Sequence, residues 1–193
     1  MKRICVFCGS NSGANPAYLE AAERVGEFLA RENIELVYGG GRVGLMGKVA
    51  DTVLAHGGKV IGIIPESLAT KEIAHQGLTS LHIVNSMLER KTMMAELSDG
   101  FIALPGGFGT FEEFCEIVTW AQLGFHQKPC ALFNVNGFYN NLMAMIDFST
   151  KENFIRGEHR ELVLVADDIE RIYELMGNYR PPLIRKWIDE KST

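Results

Sequence analysis

A glycine-rich segment followed by two carboxylates is the part of the chain best equipped for chemistry. The segment Pro-Gly-Gly-Phe-Gly-Thr at 105–110 follows an apolar run at 101–104 and precedes a helical pattern at 110–123. A strand that leads through a glycine turn into a helix leaves backbone N–H groups free to hold an anion. Glycine also lets a phosphate approach the backbone closely. Because Glu112 and Glu113 follow within one helical turn, the segment predicts a phosphorylated substrate and a reaction on it.

The same residues have a simpler alternative interpretation. Thr110 and Glu113 match the Ser/Thr-x-x-Glu capping box, which stabilises a helix start by about 1 kcal/mol and has no catalytic role. Glu112 can equally compensate the helix dipole in the first turn. The proline and three glycines directly upstream favour the phosphate site, because an ordinary cap needs no phosphate-sized opening.

An arginine on an apolar helical stripe is the second candidate for chemistry. The segment 85–97 starts with a capping box, and its apolar stripe consists of Met87, Met94 and Leu97. Arg90 falls on the same stripe. A buried guanidinium needs a carboxylate or phosphate partner, whereas the alternative is a stem along apolar surface with its head in water. Because this helix begins at the end of a predicted strand, we expect Arg90 at the same edge as the glycine segment.

The elements that must position these residues follow from hydrophobic periodicity. Short apolar runs predict strands at 4–8, 35–38, 60–64, 81–84, 101–104, 131–135 and 162–165. Amphipathic patterns predict helices from Asn15-Pro16 to about Leu29 and near 45–56, 86–97, 110–123, 138–150 and 167–176. This alternation is typical of an α/β, doubly wound, Rossmann-like parallel sheet with helices on both faces. We expect residues 1–193 to form a single nucleotide-binding domain with a C-terminal tail at about 179–193.

A second glycine pattern, Gly39-x-Gly41-x-x-Gly44, matches the spacing of dinucleotide-binding loops. It follows the second predicted strand, whereas that motif usually opens the first βαβ unit. The acidic residue expected about 20 positions later is at best Glu66. We interpret the pattern as a tight turn at the rim of a nucleotide pocket.

Composition excludes several classes of protein. A net charge of −5 spread over 193 residues argues against a nucleic-acid-binding surface. Neither a membrane-spanning segment nor a signal peptide is expected. The Cys-x-x-Cys motif at 5–8 lies inside a strand pattern, whereas a redox motif normally lies at a helix start. The four cysteines are therefore predicted to be buried thiols in a reduced, cytoplasmic protein. No metal site is expected, because the histidines are scattered without ligand spacing.

These motifs resemble the LOG ("Lonely Guy") family of cytokinin riboside 5′-monophosphate phosphoribohydrolases, whose members are often mislabelled as lysine decarboxylases. The resemblance covers nearly the whole chain. It rests on Cys-Gly-Ser at 8–10, Val-Tyr-Gly-Gly-Gly at 37–41, Gly-Leu-Met-Gly at 44–47, Arg-Lys at 90–91, Pro-Gly-Gly-x-Gly-Thr-x-x-Glu at 105–113 and Thr-Trp-Ala-Gln-Leu-Gly at 119–124. The family usually has Met-His-x-Arg-Lys, whereas Leu88 stands at the histidine position here.

The resemblance implies that Arg90 and Glu113 are the catalytic pair. It also implies that the residues from Gly107 to Thr110 hold the 5′-phosphate with help from Lys91. The full set of substrate-binding residues that we expect is Ser10, Glu72, Met87, Lys91, Gly106, Gly107, Phe108, Gly109, Thr110, Glu112 and Thr119. A homodimer or larger homo-oligomer with sites near the subunit interface is implied as well.

The leading hypothesis is that the protein hydrolyses the N-glycosidic bond of adenosine-type, N6-substituted nucleoside 5′-monophosphates to free base and ribose 5-phosphate, without a cofactor. Glu113 would stabilise an oxocarbenium-like sugar and activate water, and Arg90 would orient that carboxylate. The alternative is a non-catalytic nucleotide-binding module of related fold. A lysine decarboxylase would need pyridoxal phosphate on a Schiff-base lysine, and phosphate neutralisation explains Lys91 adequately.

Overall fold

One parallel sheet forms the centre of the protein. The computed structural model describes residues 1–69 and 74–182. Its seven strands have the order β4-β3-β2-β1-β5-β6-β7, and every neighbouring pair is parallel. The strands are β1 (Arg3–Phe7), β2 (Glu35–Tyr38), β3 (Val60–Pro65), β4 (Ser80–Val84), β5 (Gly100–Ala103), β6 (Cys130–Phe133) and β7 (Val163–Ala166). All seven predicted strands are confirmed, with ends that differ by at most two residues.

Helices connect successive strands, and a last helix follows β7. They are α1 (Ala17–Arg31), α2 (Gly44–Ala55), α3 (Glu66–Leu68), α4 (Met87–Leu97), α5 (Phe108–Gln122), α6 (Asn140–Lys151), α7 (Gly157–Arg160) and α8 (Ile169–Asn178). The six predicted helices are confirmed, and the short α3 and α7 were not predicted because a single turn carries no periodicity. Among the described residues, no helix is long and apolar enough to cross a membrane.

The helices cover both faces of the sheet, as predicted for a doubly wound fold. In β1, Ile4 and Val6 pack into the core shared with α1, α2 and α8. Cys5 and Phe7 point the other way, into the core shared with α4, α5 and α6. This alternation of side chains along a strand explains why a strand covered on both faces is apolar at every position.

The predicted start of α4 is confirmed, whereas α1 begins one residue later than expected from Asn15 as its N-cap, with Pro16 in that position. The Asn15 side chain accepts a hydrogen bond from the Ala17 N–H over 3.0 Å, directly before α1. The Ser86 hydroxyl accepts from the Glu89 N–H over 3.1 Å at the start of α4. The return bond of this capping box reaches one residue further than expected, because the Glu89 carboxylate accepts from the Asn85 N–H.

The cysteine prediction is confirmed for three of the four thiols. Cys5, Cys8 and Cys130 are buried and unpaired, whereas Cys115 is exposed. Cys115 differs because it lies on the face of α5 that points away from the sheet. The expected tail from 179 onwards follows α8, and most of it lies outside the described residues.

The order of the strands reverses beside β1. The chain runs outward from β1 to β4 and then returns to place β5 on the other side of β1. Open α/β sheets bind ligands beyond the carboxyl ends of their strands at such a switch point. The loop after β1 and the glycine segment after β5 meet there, where the Gly9 N–H donates to the Pro105 carbonyl over 3.1 Å.

Candidate active site

The glycine segment leads directly into α5, which begins two residues earlier than predicted. The first helical residue is Phe108, Gly107 is the N-cap, and no side chain caps this end. Thr110 and Glu113 therefore lie inside the helix, and the capping-box alternative is wrong. The physical reason is that the glycines allow the turn to close before Thr110, so the Thr-x-x-Glu spacing falls on consecutive turns of an established helix.

The glycines of this segment have two different environments. A Cβ atom on Gly106 would lie 2.1 Å from the Thr110 Oγ1 and 2.9 Å from the Gly9 N, so this glycine is required for close packing. A Cβ atom on Gly107 or Gly109 would meet no atom of residues 1–69 and 74–182 within 4 Å. The first N–H groups of a helix have no partner within the helix. The start of α5 thus combines free donors with open space, which is the arrangement that can bind an anion.

A cavity of about 290 Å³ lies beside this helix start. Its walls come from both loops at the switch point and from three side chains further along the chain. The lining residues are Gly9, Ser10, Asn11, Ser12, Gly13, Tyr18, Leu45, Pro105, Gly106, Gly107 and Phe138. The structure therefore brings the predicted residues Ser10, Gly106 and Gly107 together. Tyr18 and Phe138, whose rings meet edge to face at 5.8 Å, were not expected in this cavity from the sequence, because no local pattern relates these residues.

Arg90 is buried at the carboxyl ends of β2 and β3, with 8% of its surface exposed. Its Nε donates to the Ile63 carbonyl over 3.1 Å, and its Nη1 donates to Glu113 Oε1 over 3.0 Å. A Cβ atom on Gly39 would lie 1.8 Å from Nη2, so the guanidinium occupies the space that a side chain there would need. The alternative of a head group in water is wrong, because backbone and carboxylate groups hold Arg90 inside the protein.

Two glycines of the Gly39-x-Gly41-x-x-Gly44 pattern are explained by close packing. Gly39 makes room for Arg90, and a Cβ atom on Gly44 would lie 2.3 Å from the Ser10 carbonyl carbon. Gly44 also adopts a φ of 60°, which favours glycine. The tight turn therefore supports the loop after β1, which lines the cavity.

Glu113 shares the buried position of Arg90, because the side chains of both residues are 10% exposed. Burial raises the pKa of Glu113, the guanidinium of Arg90 lowers it, and the neighbouring Glu112 raises it again. The pKa of the carboxyl lies above the ordinary value as a result. A carboxylate held in this way can accept a proton at a pH where an exposed glutamate would be a weaker base.

Lys91 lies between two carboxylates of α5. Its Nζ contacts the Glu112 carboxylate and lies 3.0 Å from the Glu116 carboxylate. Burial lowers the pKa of Lys91, but the bonds to both carboxylates raise it, and the result is above the ordinary value. Glu116 is not among the residues expected from the sequence, although a glutamate one turn beyond Glu112 is a spacing that indicates a shared partner.

The remaining predicted residues are placed in different ways. Met87 was predicted to belong to a buried stripe, but it is exposed, with its Sδ 3.9 Å from Arg90 Nη1. The stripe is wrong at this position because Met87 opens α4 at the edge of the sheet, where none of the elements described covers it. Phe108 is 92% exposed. Thr119 is exposed and donates to the Cys115 carbonyl over 2.7 Å. Glu72 lies outside the described residues.

Thr119 is separated from the N-terminal end of α5. At 1.5 Å per helical residue, it lies about 13 Å along the axis from Thr110. The structure therefore brings Arg90 and Glu113 together at one end of the helix and leaves Thr119 at a distance from them.

Comparisons with known proteins agree in both sequence and fold. The family described as "Possible lysine decarboxylase" matches residues 46–176. A cytokinin riboside 5′-monophosphate phosphoribohydrolase of Rhodococcoides fascians is 51% identical over 170 residues, which is 88% of this chain and 86% of the relative. A phosphoribohydrolase of the same name from Arabidopsis thaliana is 48% identical over 181 residues, which is 93% of this chain and 83% of the relative.

Solved structures share the fold at lower sequence identity. The molybdenum cofactor binding protein from Rippkaea orientalis has a TM-score of 0.69 and 24% identity, covering 92% of this chain and 96% of that protein. A molybdenum cofactor carrier protein from Chlamydomonas reinhardtii has a TM-score of 0.68 and 21% identity, covering 92% of this chain and 98% of that protein. These structures support the Rossmann-like architecture.

Proposed function

Because the chain belongs to the "Possible lysine decarboxylase" family and its close relatives are phosphoribohydrolases, we propose that it hydrolyses cytokinin riboside 5′-monophosphates. The reaction cleaves the N-glycosidic bond of an N6-substituted adenosine 5′-monophosphate and yields free base and ribose 5-phosphate. The observation that carries this proposal is the buried Arg90–Glu113 pair, whose carboxylate belongs to the helix that begins at the glycine segment.

The 5′-phosphate binds at the start of α5 in this proposal. The open space at Gly107 and Gly109 supports it, because in the described part of the chain no atom lies within 4 Å of a Cβ built at either position. The helix N-terminus stabilises the phosphate charge, and Ser10 lines the adjoining cavity. Phosphate binding contributes energy at a distance from the reacting bond and fixes the ribose relative to Glu113.

Glu113 acts on water at C1′. As the bond to the base breaks, the sugar gains oxocarbenium character, which a nearby carboxylate stabilises. The water oxygen bonds to C1′, its proton passes to Glu113, and the bond electrons leave with the base, which is protonated by solvent. Arg90 orients the carboxylate and holds it in its ionised form through a charge-assisted hydrogen bond.

The name of the matching family raises the alternative of lysine decarboxylation. A Schiff-base lysine must lose its proton readily, which requires a lowered pKa. Lys91 has a raised pKa and lies between two carboxylates. Its environment therefore does not fit this role.

A homodimer is part of the proposal. The apolar side chains of Ile83, Met87, Leu88 and Phe108 are exposed. The first three belong to consecutive elements at one edge of the sheet, and Phe108 opens α5. Exposed apolar patches of this kind mark interaction surfaces. Analytical ultracentrifugation tests this directly, with a stable monomer at micromolar concentration as the contradicting result.

The experiment that tests the function is incubation with AMP, N6-isopentenyl-AMP and the corresponding ribosides that lack the phosphate. Chromatography measures the free base and ribose 5-phosphate. We expect equal amounts of both products from the monophosphates and no turnover of the ribosides. Tight binding of both monophosphates without release of base would show a nucleotide-binding module instead of a hydrolase.

A further inference from the structure

We propose that Glu116 is a positioning residue, which uses Lys91 to clamp α5 to α4 and so sets the geometry of Arg90 and Glu113. In this proposal Lys91 is a structural cation between two helices. The role rests on the proposed hydrolase function, because it concerns the placement of the carboxylate that activates water.

Two ion pairs connect the same two helices side by side. Arg90 and Lys91 are consecutive residues of α4, whereas Glu113 and Glu116 lie one turn apart on α5. The Arg90–Glu113 and Lys91–Glu116 pairs both have contact distances of 3.0 Å. The two contacts therefore fix both the separation of the helices and the register of one along the other.

Burial distinguishes the two carboxylates that contact Lys91. The Lys91 side chain is 14% exposed and that of Glu116 is 26% exposed, whereas that of Glu112 is 54% exposed. Exposed ion pairs contribute little because water screens them and the side chains move. The less exposed Lys91–Glu116 contact is therefore the one that holds the helices, and Glu112 is an additional partner at the surface.

Charge argues against a phosphate on Lys91. One ammonium group between two carboxylates leaves a net negative charge, and a phosphate dianion would be repelled by both glutamates. The start of α5 offers free N–H donors instead. A phosphate at that helix start does not need Lys91 to leave its carboxylates.

The clamp matters because the sheet fixes Arg90, whereas the position of Glu113 depends on α5. Arg90 is held by the Ile63 carbonyl of β3 and fits against Gly39, so the sheet determines its position. Glu113 moves with α5, and a displacement of about 1 Å in a catalytic group costs roughly 100-fold in rate. Lys91 and Glu116 limit that displacement.

Neutral variants of each partner test the clamp. We expect Glu116→Gln and Lys91→Met to lower kcat on AMP about 10- to 100-fold, with KM changed by less than about threefold. The acid limb of the pH profile of kcat/KM should move to higher pH, because a looser contact with Arg90 raises the pKa of Glu113. Glu96→Gln, an exposed glutamate of α4, is the matched control and should leave all three quantities unchanged.

A charge reversal separates the clamp from substrate binding. Lys91→Glu and Glu116→Lys together restore an ion pair with opposite polarity, so the double variant should regain a large part of the kcat that each single variant loses. If Lys91 binds the phosphate, the double variant stays as inactive as Lys91→Glu, and Lys91→Met raises KM strongly. Either result overturns the proposal.

Different results would contradict the proposed function and the proposed clamp. Absence of base release by the wild-type protein contradicts the hydrolase function. The clamp is overturned separately if a double-mutant cycle of urea unfolding with Lys91→Met and Glu116→Gln gives no coupling between the two positions.

Discussion

Arg90 of α4 donates a hydrogen bond from Nη1 to Oε1 of Glu113 in α5 over 3.0 Å, although the two residues are 23 positions apart in the sequence. Both side chains are 10% exposed. A buried pair of this kind is costly to break, because the remaining partner would be an uncompensated charge. The pair also lies near the uncapped N-terminus of α5. Its role in catalysis and its contribution to stability can be tested by separate measurements.

Glu113→Gln removes the proposed base and retains a hydrogen-bond acceptor for Arg90. We expect kcat on AMP to fall by about 10²–10⁴-fold, which is the usual contribution of general-base catalysis. Thermal unfolding should change by far less than in Glu113→Ala, because glutamine keeps most of the contact. Full activity of Glu113→Gln would contradict the proposed mechanism, and Glu96→Gln serves as the control for a glutamate outside the pair.

Gly39→Ala, a substitution directly after β2, should displace Arg90 and lower activity. A Cβ atom at this position would lie 1.8 Å from Arg90 Nη2, so the guanidinium must leave its place. We expect kcat to fall at least tenfold and the unfolding temperature to drop. Gly177→Ala is the matched control, because a Cβ atom there meets nothing within 4 Å, and alanine in a helix stabilises by about 0.5–1 kcal/mol relative to glycine. Normal activity of Gly39→Ala would show that Arg90 is not held as described.

Gly109→Ala tests whether a phosphate approaches the start of α5. The protein has room for this methyl group, so the variant should fold with equal or greater stability. We expect KM for AMP to rise about 10- to 100-fold, equivalent to one lost hydrogen bond to a charged group of about 1.5–3 kcal/mol. Competitive inhibition by inorganic phosphate should weaken in parallel. An unchanged KM would place the phosphate elsewhere.

Gly106→Ala should destabilise the protein, in contrast to Gly109→Ala. The new methyl group would lie 2.1 Å from the Thr110 Oγ1, so the start of α5 must shift. We expect a lower free energy of unfolding in urea, which distinguishes a packing glycine from one that faces ligand.

The pH dependence of kcat/KM follows from the environment of Glu113. Its pKa is raised by burial and by Glu112, despite the opposing effect of Arg90. In the proposed mechanism activity requires the ionised carboxylate, so it should fall as pH decreases through this raised pKa. The acid limb should therefore lie above the ordinary glutamate value of about 4.3. Arg90→Gln removes the group that lowers the pKa and should move the limb of any residual activity to higher pH. A limb at lower pH than in wild type would contradict this assignment.

Tyr139→Phe should affect stability more than catalysis. The Tyr139 hydroxyl donates to the Leu104 carbonyl over 2.6 Å, directly before the glycine segment. Loss of the donor leaves a buried carbonyl unsatisfied, which costs about 1–3 kcal/mol in urea unfolding. Tyr173→Phe is the control, because its ring packs against Phe28 and no hydroxyl partner is found in the described part of the chain. Equal stability of both variants would show that the hydroxyl contributes nothing.

Local sequence signals predicted the elements well and their contacts poorly. The strands followed from apolar runs, and the starts of α4 and, to within one residue, α1 followed from Ser86 and Asn15, because a cap involves neighbouring residues. The start of α5 was misplaced because several consecutive glycines allow the helix to begin at more than one residue. The exposure of Met87 was missed for a different reason, since periodicity shows which face is apolar and not where an element is left uncovered.

The amino-acid sequence by itself determined the parallel α/β fold, the glycine segment at a helix start and the candidacy of Arg90 and Glu113, because each depends on neighbouring residues or on a repeated spacing. The tertiary structure decided that Arg90 meets Glu113 across 3.0 Å, that Gly39 makes room for the guanidinium, and that Lys91 is held by Glu116. Those contacts join residues from different elements. They exist because the order of strands in the sheet brings α4 and α5 together on one face.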